Sequence, residues 1–352
     1  CFAARRATFG RIDRSYPSAR NSASRMHESS YMIIEILKAL LEGIVEGITE
    51  WLPISSTGHM ILIDEFVKLQ VSDQFLALFL VVIQIGAILA VIIMYFHKLN
   101  PFSFKKTPAQ RKSTWRLWGM VVIGCIPAAV FGFALDDWVN EHFYNKVCVA
   151  AMLILYGIIF IVLERRNHRH FQEARAGLAL SGPRPRGKHA RVDAQAHATN
   201  EQLDARAEEQ LFKITDVDDI DWKTALKIGF FQVLAIIPGT SRSGATIIGG
   251  MLAGCSRTAA AEFTFFLAIP VMLGWGAVKA AKFVLAGVAM TTTEIAVLAT
   301  GVVSAFVMSI ISIKFLMGYI KKNDFTAFGI YRIIVGVLVL AYFAFETMGM
   351  LP

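Results

Sequence analysis

The sequence has few charged residues for its length. Only 18% of its 352 residues are charged, whereas a soluble domain usually carries about 25%. Polar helix faces are also missing, because segments 87–95, 149–163 and 333–345 lack the polar positions that a helix of a soluble protein turns to water. These shortages exclude a large soluble helical protein.

Cysteine patterns that hold metals or carry redox chemistry are missing as well. The four cysteines, Cys1, Cys125, Cys148 and Cys255, form no CxxC pair and show no metal-ligand spacing. Cys125 and Cys148 lie in or beside apolar runs, where a cysteine usually acts as a small hydrophobic residue. The cysteines therefore do not indicate a function.

Long apolar runs dominate what is present, and the mean hydropathy is +0.53. Each run is about long enough to cross a hydrocarbon core of ~30 Å as a helix. The runs lie near residues 75–96, 115–135, 147–163, 261–281, 293–316 and 328–348. The sequence thus predicts an all-α integral membrane protein. The net charge of +8 does not indicate nucleic acid, because Lys and Arg lie between the spans, as membrane topology requires.

Two polar segments lie outside the predicted membrane body. Residues 1–31 are rich in Arg, Ser and Ala, and we expect a disordered or non-native N-terminal extension with Met26 or Met32 as the natural start. Residues 165–221 are highly charged, and we expect a flexible cytoplasmic loop that cannot fold alone. The predicted membrane repeats are then residues 32–164 and 222–352.

The two halves share one pattern. Gly43-Ile-Val-Glu46 precedes Pro53-Ile-Ser-Ser-Thr-Gly58, and Gly229-Phe-Phe-Gln232 precedes Pro238-Gly-Thr-Ser-Arg-Ser-Gly244. Pro, Gly, Ser and Thr at the centre of 33–66 and 223–254 prevent one continuous helix. Each stretch is therefore predicted to be a re-entrant helical hairpin, followed by three transmembrane helices. The result is an inverted-topology repeat, an architecture that indicates a central binding site.

The distribution of charge predicts the orientation. Loop 97–116 is strongly basic and loop 136–146 is mainly acidic. Because basic loops stay in the cytoplasm, the first should be inside and the second outside. The basic segment 165–221 and the Lys321–Lys322 pair mark further inner loops, which leaves both termini outside.

Ionisable groups inside membrane segments are functional candidates by default. Glu46 and Glu50 are four residues apart and share a helix face. Two carboxylates in apolar surroundings repel each other unless a cation lies between them or one is protonated. Oxygen ligands of this kind suit Mg²⁺ or Ca²⁺, so Glu46 and Glu50 are the predicted metal ligands. The alternatives are a solvated pair or a capping interaction.

The residues that follow the carboxylates supply hydroxyls and a histidine. Ser55, Ser56 and Thr57 form a turn that can present backbone N–H groups to an anion. His59 is a candidate general acid, general base or nucleophile. Ordinary helix capping by the hydroxyls and a structural role for the histidine are the alternatives.

The second polar cluster contains an arginine with no acidic neighbour. No acidic residue lies between Asp221 and Glu262, so Arg242 should point into a cavity. Its planar guanidinium matches phosphate oxygens bidentately, and the hydroxyls of Ser241, Ser243 and Thr246 could complete a phosphate site. The alternative, an ion pair between Arg242 and Glu46 or Glu50 that joins the halves, does not exclude this role.

Together these groups fit the hydrolysis of a phosphate anhydride, in which a cation and an arginine stabilise charge while an activated oxygen attacks phosphorus. A site at membrane depth implies a lipid-linked substrate. The residues alone do not identify the lipid.

At these residues the sequence resembles the undecaprenyl-diphosphate phosphatase family, also called bacitracin-resistance proteins. The motifs that carry the resemblance are Glu46-Gly-Ile-Thr-Glu50-Trp-Leu-Pro-Ile-Ser-Ser-Thr-Gly-His59 and Pro238-Gly-Thr-Ser-Arg-Ser-Gly-Ala-Thr246. The resemblance implies removal of one phosphate from undecaprenyl diphosphate at the outer side of the bacterial plasma membrane. That reaction recycles the lipid carrier for cell-wall synthesis and confers bacitracin resistance.

The resemblance also implies residue roles and partners. It implies metal and acid–base roles for Glu46 and Glu50, nucleophilic or proton-transfer roles for Ser56 and His59, and phosphate binding for Arg242. Whether Ser56, His59 or an activated water attacks phosphorus stays open. The expected partners are the polyprenyl diphosphate substrate and membrane lipids, without nucleic acid; a homodimer is compatible with this expectation.

Two other function classes are alternatives to the phosphatase. A transporter or flippase of the same lipid is the main alternative, because inverted repeats are typical of transporters and the fold alone does not separate the two. A scaffold protein would not need acidic residues and an arginine inside the membrane.

Overall fold

The computed structural model describes residues 18–143, 145–181, 202–204, 206–287 and 289–348. Across these ranges the chain is helical and forms no β-strand, apart from an isolated bridge between Ile214 and Cys255. The prediction of an all-α fold is confirmed. The long helices are α1 (Ser18–Thr49), α2 (Ser56–Phe66), α3 (Asp73–Met94), α4 (Pro108–Phe143), α5 (Lys146–Ser181), α6 (Trp222–Val233), α7 (Arg242–Leu252), α8 (Arg257–Leu285), α9 (Thr292–Tyr319) and α10 (Thr326–Thr347).

Six of these helices, α3, α4, α5, α8, α9 and α10, are long and apolar enough to cross a membrane. They coincide with the six apolar runs predicted from the sequence. Large apolar side chains such as Leu89, Val162 and Leu338 remain exposed on them, as expected for surfaces that face lipid instead of water. The protein is therefore a multi-pass helical membrane protein.

Three helices extend beyond the predicted boundaries. Helix α5 continues past residue 164 to Ser181, so the first part of the predicted loop 165–221 is helical. This part contains four Arg, three Ala and two Leu, which favour helix. Helix α4 continues to Phe143, so most of the predicted outer loop 136–146 is helical too. Helix α1 begins at Ser18. Residues 18–31 of the predicted disordered extension are therefore helical, and residues 1–17 lie outside the described residues.

Glycines allow the interrupted helices to pack closely against long ones. A Cβ atom added at Gly43 of α1 would overlap the Gly301 carbonyl oxygen and the Ser304 hydroxyl of α9. A Cβ atom added at Gly229 of α6 would overlap the Gly124 carbonyl oxygen of α4. Helix α1 thus packs on α9 and helix α6 on α4, so each interrupted stretch contacts a long helix from the other half of the chain.

A buried carboxylate joins three helices at the end of the bundle opposite the α8–α9 turn. Glu164 of α5 accepts hydrogen bonds from Arg257 of α8, from Nε at 2.8 Å and from Nη2 at 2.6 Å. It also accepts one from the Phe325 backbone N–H at 3.1 Å, just before α10. Such a charge-assisted bidentate pair fixes the relative positions of the helices.

The close approach of α1 to α9 predicts the effect of a single methyl group. We expect Gly43→Ala to lower the free energy of unfolding by about 1–3 kcal/mol, because the added Cβ forces backbone apart. Thermal unfolding in detergent measures this. The matched control is Gly318→Ala on α9, where an added Cβ meets no atom within 4 Å and alanine favours helix over glycine. Equal melting temperatures of the two variants would contradict the packing described here.

Candidate active site

The first helix interruption is a tight turn between α1 and α2. It contains Pro53, and Ser55 adopts a φ of 75°, a region that residues other than glycine rarely occupy. The Ser55 hydroxyl accepts a hydrogen bond from the Gly58 backbone N–H at 3.3 Å and so caps α2. The turn therefore leads into a capped start of α2, at which Gly58 is buried.

The second interruption has the same local structure between α6 and α7. Ser241 adopts a φ of 72°, and its hydroxyl accepts a hydrogen bond from the Gly244 N–H at 3.1 Å. The Ser243 hydroxyl then donates to the Leu52 carbonyl oxygen of the first turn at 3.2 Å. The two capped helix starts are thus in direct contact. Helix N-termini carry partial positive charge and bind anions.

Arg332 of α10 holds both turns in place. It is fully buried, with 0% exposure. Its Nη1 donates to the Pro53 carbonyl oxygen at 3.0 Å, and its Nη2 donates to the carbonyl oxygens of Gly239 and Thr240 at 2.9 Å each. One guanidinium therefore satisfies buried carbonyl groups from both interruptions. Sequence reasoning missed this residue, although an arginine beside the apolar segment 333–345 was the available signal.

Glu50 joins the two motifs through its side chain. Its Oε2 accepts a hydrogen bond from the Ser56 hydroxyl at 2.7 Å, and its Oε1 forms an ion pair with Arg242 Nη2 at 3.0 Å. Arg242 Nη1 also donates to the Thr264 carbonyl oxygen at 3.0 Å, while its buried Nε has no partner within the described ranges. The pairing of Arg242 with Glu50 that the sequence left open is present, and the guanidinium still has an unused donor.

Glu46 lies one helical turn before Glu50 and is 2% exposed. It interacts electrostatically with Glu50 and with Arg242. Its Oε1 has no hydrogen-bond partner in the described part of the chain. An ionised carboxylate buried in this way is costly unless a cation or a proton accompanies it.

A cavity of about 190 Å³ lies where the two turns meet. One of its walls is polar and comes from both motifs. That wall is formed by Glu50, Ser56, Thr57, Ser241, Arg242 and Ser243. The structure thus brings six of the predicted site residues to one surface.

The other lining residues form a mainly apolar wall that was not predicted. It is formed by Gln84, Ala235, Ile237, Val271, Met272 and Trp275, besides the backbone of the second turn. Among these wall residues, only Gln84 could have been suspected from the sequence, because it is a polar amide within the strongly apolar α3. Val271, Met272 and Trp275 are indistinguishable in the sequence from other residues of a membrane span.

Four predicted site residues do not line this cavity: Glu46, Ser55, His59 and Thr246. Both ring nitrogens of His59 have partners at 2.8 Å, Nδ1 the Ser55 carbonyl oxygen and Nε2 the Tyr331 hydroxyl. A carbonyl oxygen only accepts, so Nδ1 carries the proton and Nε2 accepts from Tyr331 in the neutral tautomer. The Thr246 hydroxyl donates to the Arg242 carbonyl oxygen at 2.8 Å and accepts from the Thr264 hydroxyl at 2.8 Å, which fixes α7 against α8.

The chain is similar to proteins of one family over most of its length. The family model described as "Bacitracin resistance protein BacA" matches residues 39–338, which include both motifs. A relative from Enterococcus faecalis named "Undecaprenyl-diphosphatase" is 49% identical over 90% of this chain and 100% of its own length. One of the same name from Desulfitobacterium hafniense is 51% identical over 90% of this chain and 98% of its own.

The role of Arg332 predicts a joint loss of stability and activity. In Arg332→Lys, the single ammonium group cannot donate hydrogen bonds to carbonyl oxygens of both turns at once. Each buried acceptor left without a hydrogen bond costs about 1–3 kcal/mol. We expect a lower melting temperature and a lower kcat/KM for phosphate release. Arg257→Lys, in the pair with Glu164, is the control and should lower stability alone. Normal turnover of the Arg332→Lys enzyme would show that the turns do not depend on this arginine.

Proposed function

Because the chain belongs to the bacitracin resistance protein BacA family, we infer that it hydrolyses undecaprenyl diphosphate to undecaprenyl phosphate and inorganic phosphate. The enzyme recycles the lipid carrier for cell-wall synthesis and confers bacitracin resistance. The observation that carries this function is Glu50, which binds Ser56 of one motif and Arg242 of the other at the same cavity. The site thus combines a hydroxyl, a base and an anion-binding guanidinium.

We propose that the two halves form an inverted-topology repeat with two re-entrant hairpins, α1–α2 and α6–α7. The reciprocal packing of α1 on α9 and α6 on α4 supports a two-fold relation between the halves. The equivalent positive φ angles of Ser55 and Ser241 support it too. With the charge distribution of the loops, this arrangement opens the site to the outer side of the plasma membrane.

In the proposed reaction the terminal phosphate lies against the N-termini of α2 and α7. Arg242 binds its oxygens and stabilises the charge that develops as the anhydride bond breaks. Ser56 is the proposed nucleophile, because its hydroxyl already donates to Glu50 at 2.7 Å, the geometry of a nucleophile and its base. Ser56 Oγ bonds to phosphorus as its proton moves to Glu50, and the lipid monophosphate leaves. Water then releases inorganic phosphate from the serine, which regains its proton.

A divalent cation, Mg²⁺ or Ca²⁺, is part of this proposal. The carboxylates of Glu46 and Glu50 would hold it, and the unpartnered Oε1 of Glu46 fits an oxygen-binding ion. No group of three or more His, Cys, Asp or Glu side chains suited to a metal occurs among the described residues. Substrate oxygens and water would therefore complete the coordination, as is common for Mg²⁺. When bound, the cation would neutralise charge on the phosphates.

Phosphate release by purified protein in detergent tests the function directly. No membrane separates two compartments in that assay, so a flippase of the same lipid would release nothing. We expect stoichiometric formation of undecaprenyl phosphate and inorganic phosphate. Absence of both products would favour the transporter.

Arg242 distinguishes catalysis from a purely structural ion pair. Arg242→Lys keeps the charge but loses the planar set of donors. We expect turnover to fall about 10²–10³-fold, the usual cost of losing a donor to a developing oxyanion. A melting curve on the same sample serves as the control and should be nearly unchanged. Retained turnover with early melting would leave Arg242 only the structural role.

Glu46 tests the proposed cation. Glu46→Gln should abolish metal-dependent phosphate release, and excess chelator should do the same to the unaltered enzyme. The matched control is Glu42→Gln, one turn earlier on α1, where the side chain is also buried, with 3% exposure, and has an oxygen without a partner in the described residues. Its charged neighbours are Glu35, Lys38 and Asp64 instead of Glu50 and Arg242. Full activity of the unaltered enzyme in chelator would remove the cation from the mechanism.

A further inference from the structure

The volume of the cavity limits which part of the substrate it can hold. The cavity measures about 190 Å³, whereas pockets for drug-sized ligands measure about 300–1,000 Å³. The diphosphate group fits such a space and the long undecaprenyl chain does not. If the proposed function is correct, the chain must leave the cavity close to the diphosphate, and some residue at the opening must contact its first isoprene units.

The position of that opening can be inferred from which of the cavity-lining residues are exposed. Of the cavity-lining residues in the described chain, Thr57 and Trp275 are the exposed ones. Thr57 belongs to the polar wall at the start of α2, and Trp275 belongs to the apolar wall on α8. A substrate that enters the cavity past these exposed residues would meet a hydroxyl group and an indole ring. This polarity matches a lipid with a charged head and an apolar chain.

Trp275 is held at the opening by a neighbouring charge. Its side chain is 36% exposed, and the Lys279 ammonium nitrogen lies 5.3 Å from the centre of its ring. This is a cation–π contact within one helical turn. On the same helix, Leu273 is 39% exposed, and Val271 and Met272 continue the apolar wall inward. Helix α8 therefore contributes apolar side chains both to the cavity wall and to the protein surface beside it.

We propose that Trp275 is the chain-binding residue of this enzyme: its indole contacts the isoprene units next to the diphosphate. Lys279 fixes the orientation of the ring and adds positive charge beside the path of the headgroup. The polar wall then selects the diphosphate, and Trp275 selects an isoprenoid over other lipid diphosphates. Trp275 acts on substrate binding and takes no part in proton transfer or in the attack on phosphorus.

The chain contains a matched control for an ordinary membrane anchor. Trp residues often lie at membrane interfaces without touching a ligand. Trp222 is 54% exposed, and the Lys223 ammonium nitrogen lies 5.6 Å from its ring. Trp222 does not line the cavity. Trp222→Ala therefore removes a similar tryptophan–lysine pair at a place where no substrate contact is proposed.

The test compares Trp275→Ala, Trp275→Phe and Trp222→Ala in purified enzyme. The substrates are undecaprenyl diphosphate and farnesyl diphosphate, and inorganic pyrophosphate is the competing ligand without a chain. We expect Trp275→Ala to raise KM for both lipids about tenfold, because an aromatic contact is lost. Its kcat and its inhibition by pyrophosphate should stay within about threefold of the unaltered enzyme. Trp275→Phe should restore most of the affinity, and Trp222→Ala should match the unaltered enzyme.

Several results would overturn the proposal. An unchanged KM in Trp275→Ala and Trp275→Phe, with only a lower melting temperature, would make Trp275 a membrane anchor. An equal loss of pyrophosphate inhibition would place its effect on the headgroup instead of the chain. If the unaltered enzyme released no phosphate from either lipid, the proposed function would fail and the inference with it.

Discussion

The geometry of the candidate active site depends on one buried arginine whose partners are main-chain carbonyl groups. Arg332 donates to Pro53 in the first turn and to Gly239 and Thr240 in the second. Each such bond has a modest net value, but each carbonyl left buried and unsatisfied would cost about 1–3 kcal/mol. Three of them together approach the total stability of many proteins, about 5–15 kcal/mol. Loss of the hydrogen bonds from Arg332 would therefore destabilise both helix interruptions at the same time.

Because the turns are fixed, the functional groups need little reorganisation. Ser55 and Ser241 hold backbone angles that cost energy, and these angles direct two helix N-termini to the same cavity. Glu50 then bridges Ser56 and Arg242 across the two halves. Preorganised donors in a site with little water stabilise developing charge more strongly than donors in solution. The protein thus uses interrupted helices to bring polar groups together among long apolar helices, where an uninterrupted apolar helix would present none.

Polar and ionisable residues within apolar segments could be predicted as site candidates from the sequence. Glu50, Ser56 and Arg242 were identifiable because carboxylates, hydroxyls and guanidinium groups are unusual in apolar segments. Arg332 was missed because its partners are carbonyl oxygens, which every residue has, so no second motif pointed to it. Trp275 was missed because an indole in a membrane span is usual. The helix ends of α4 and α5 were misplaced because hydropathy detects the limit of the membrane, and a helix can continue beyond it.

The proposed reaction requires both halves of the chain to bind one phosphate group at the meeting point of the two turns. An experimental structure of the enzyme with a non-hydrolysable, methylene-bridged undecaprenyl diphosphonate tests this most directly. The terminal phosphonate should lie within hydrogen-bonding distance of both Ser56 and Arg242. A phosphonate bound by one turn alone would contradict binding by both halves. So would one bound in the groove of about 1120 Å³ lined by Arg257, Lys321 and Lys322.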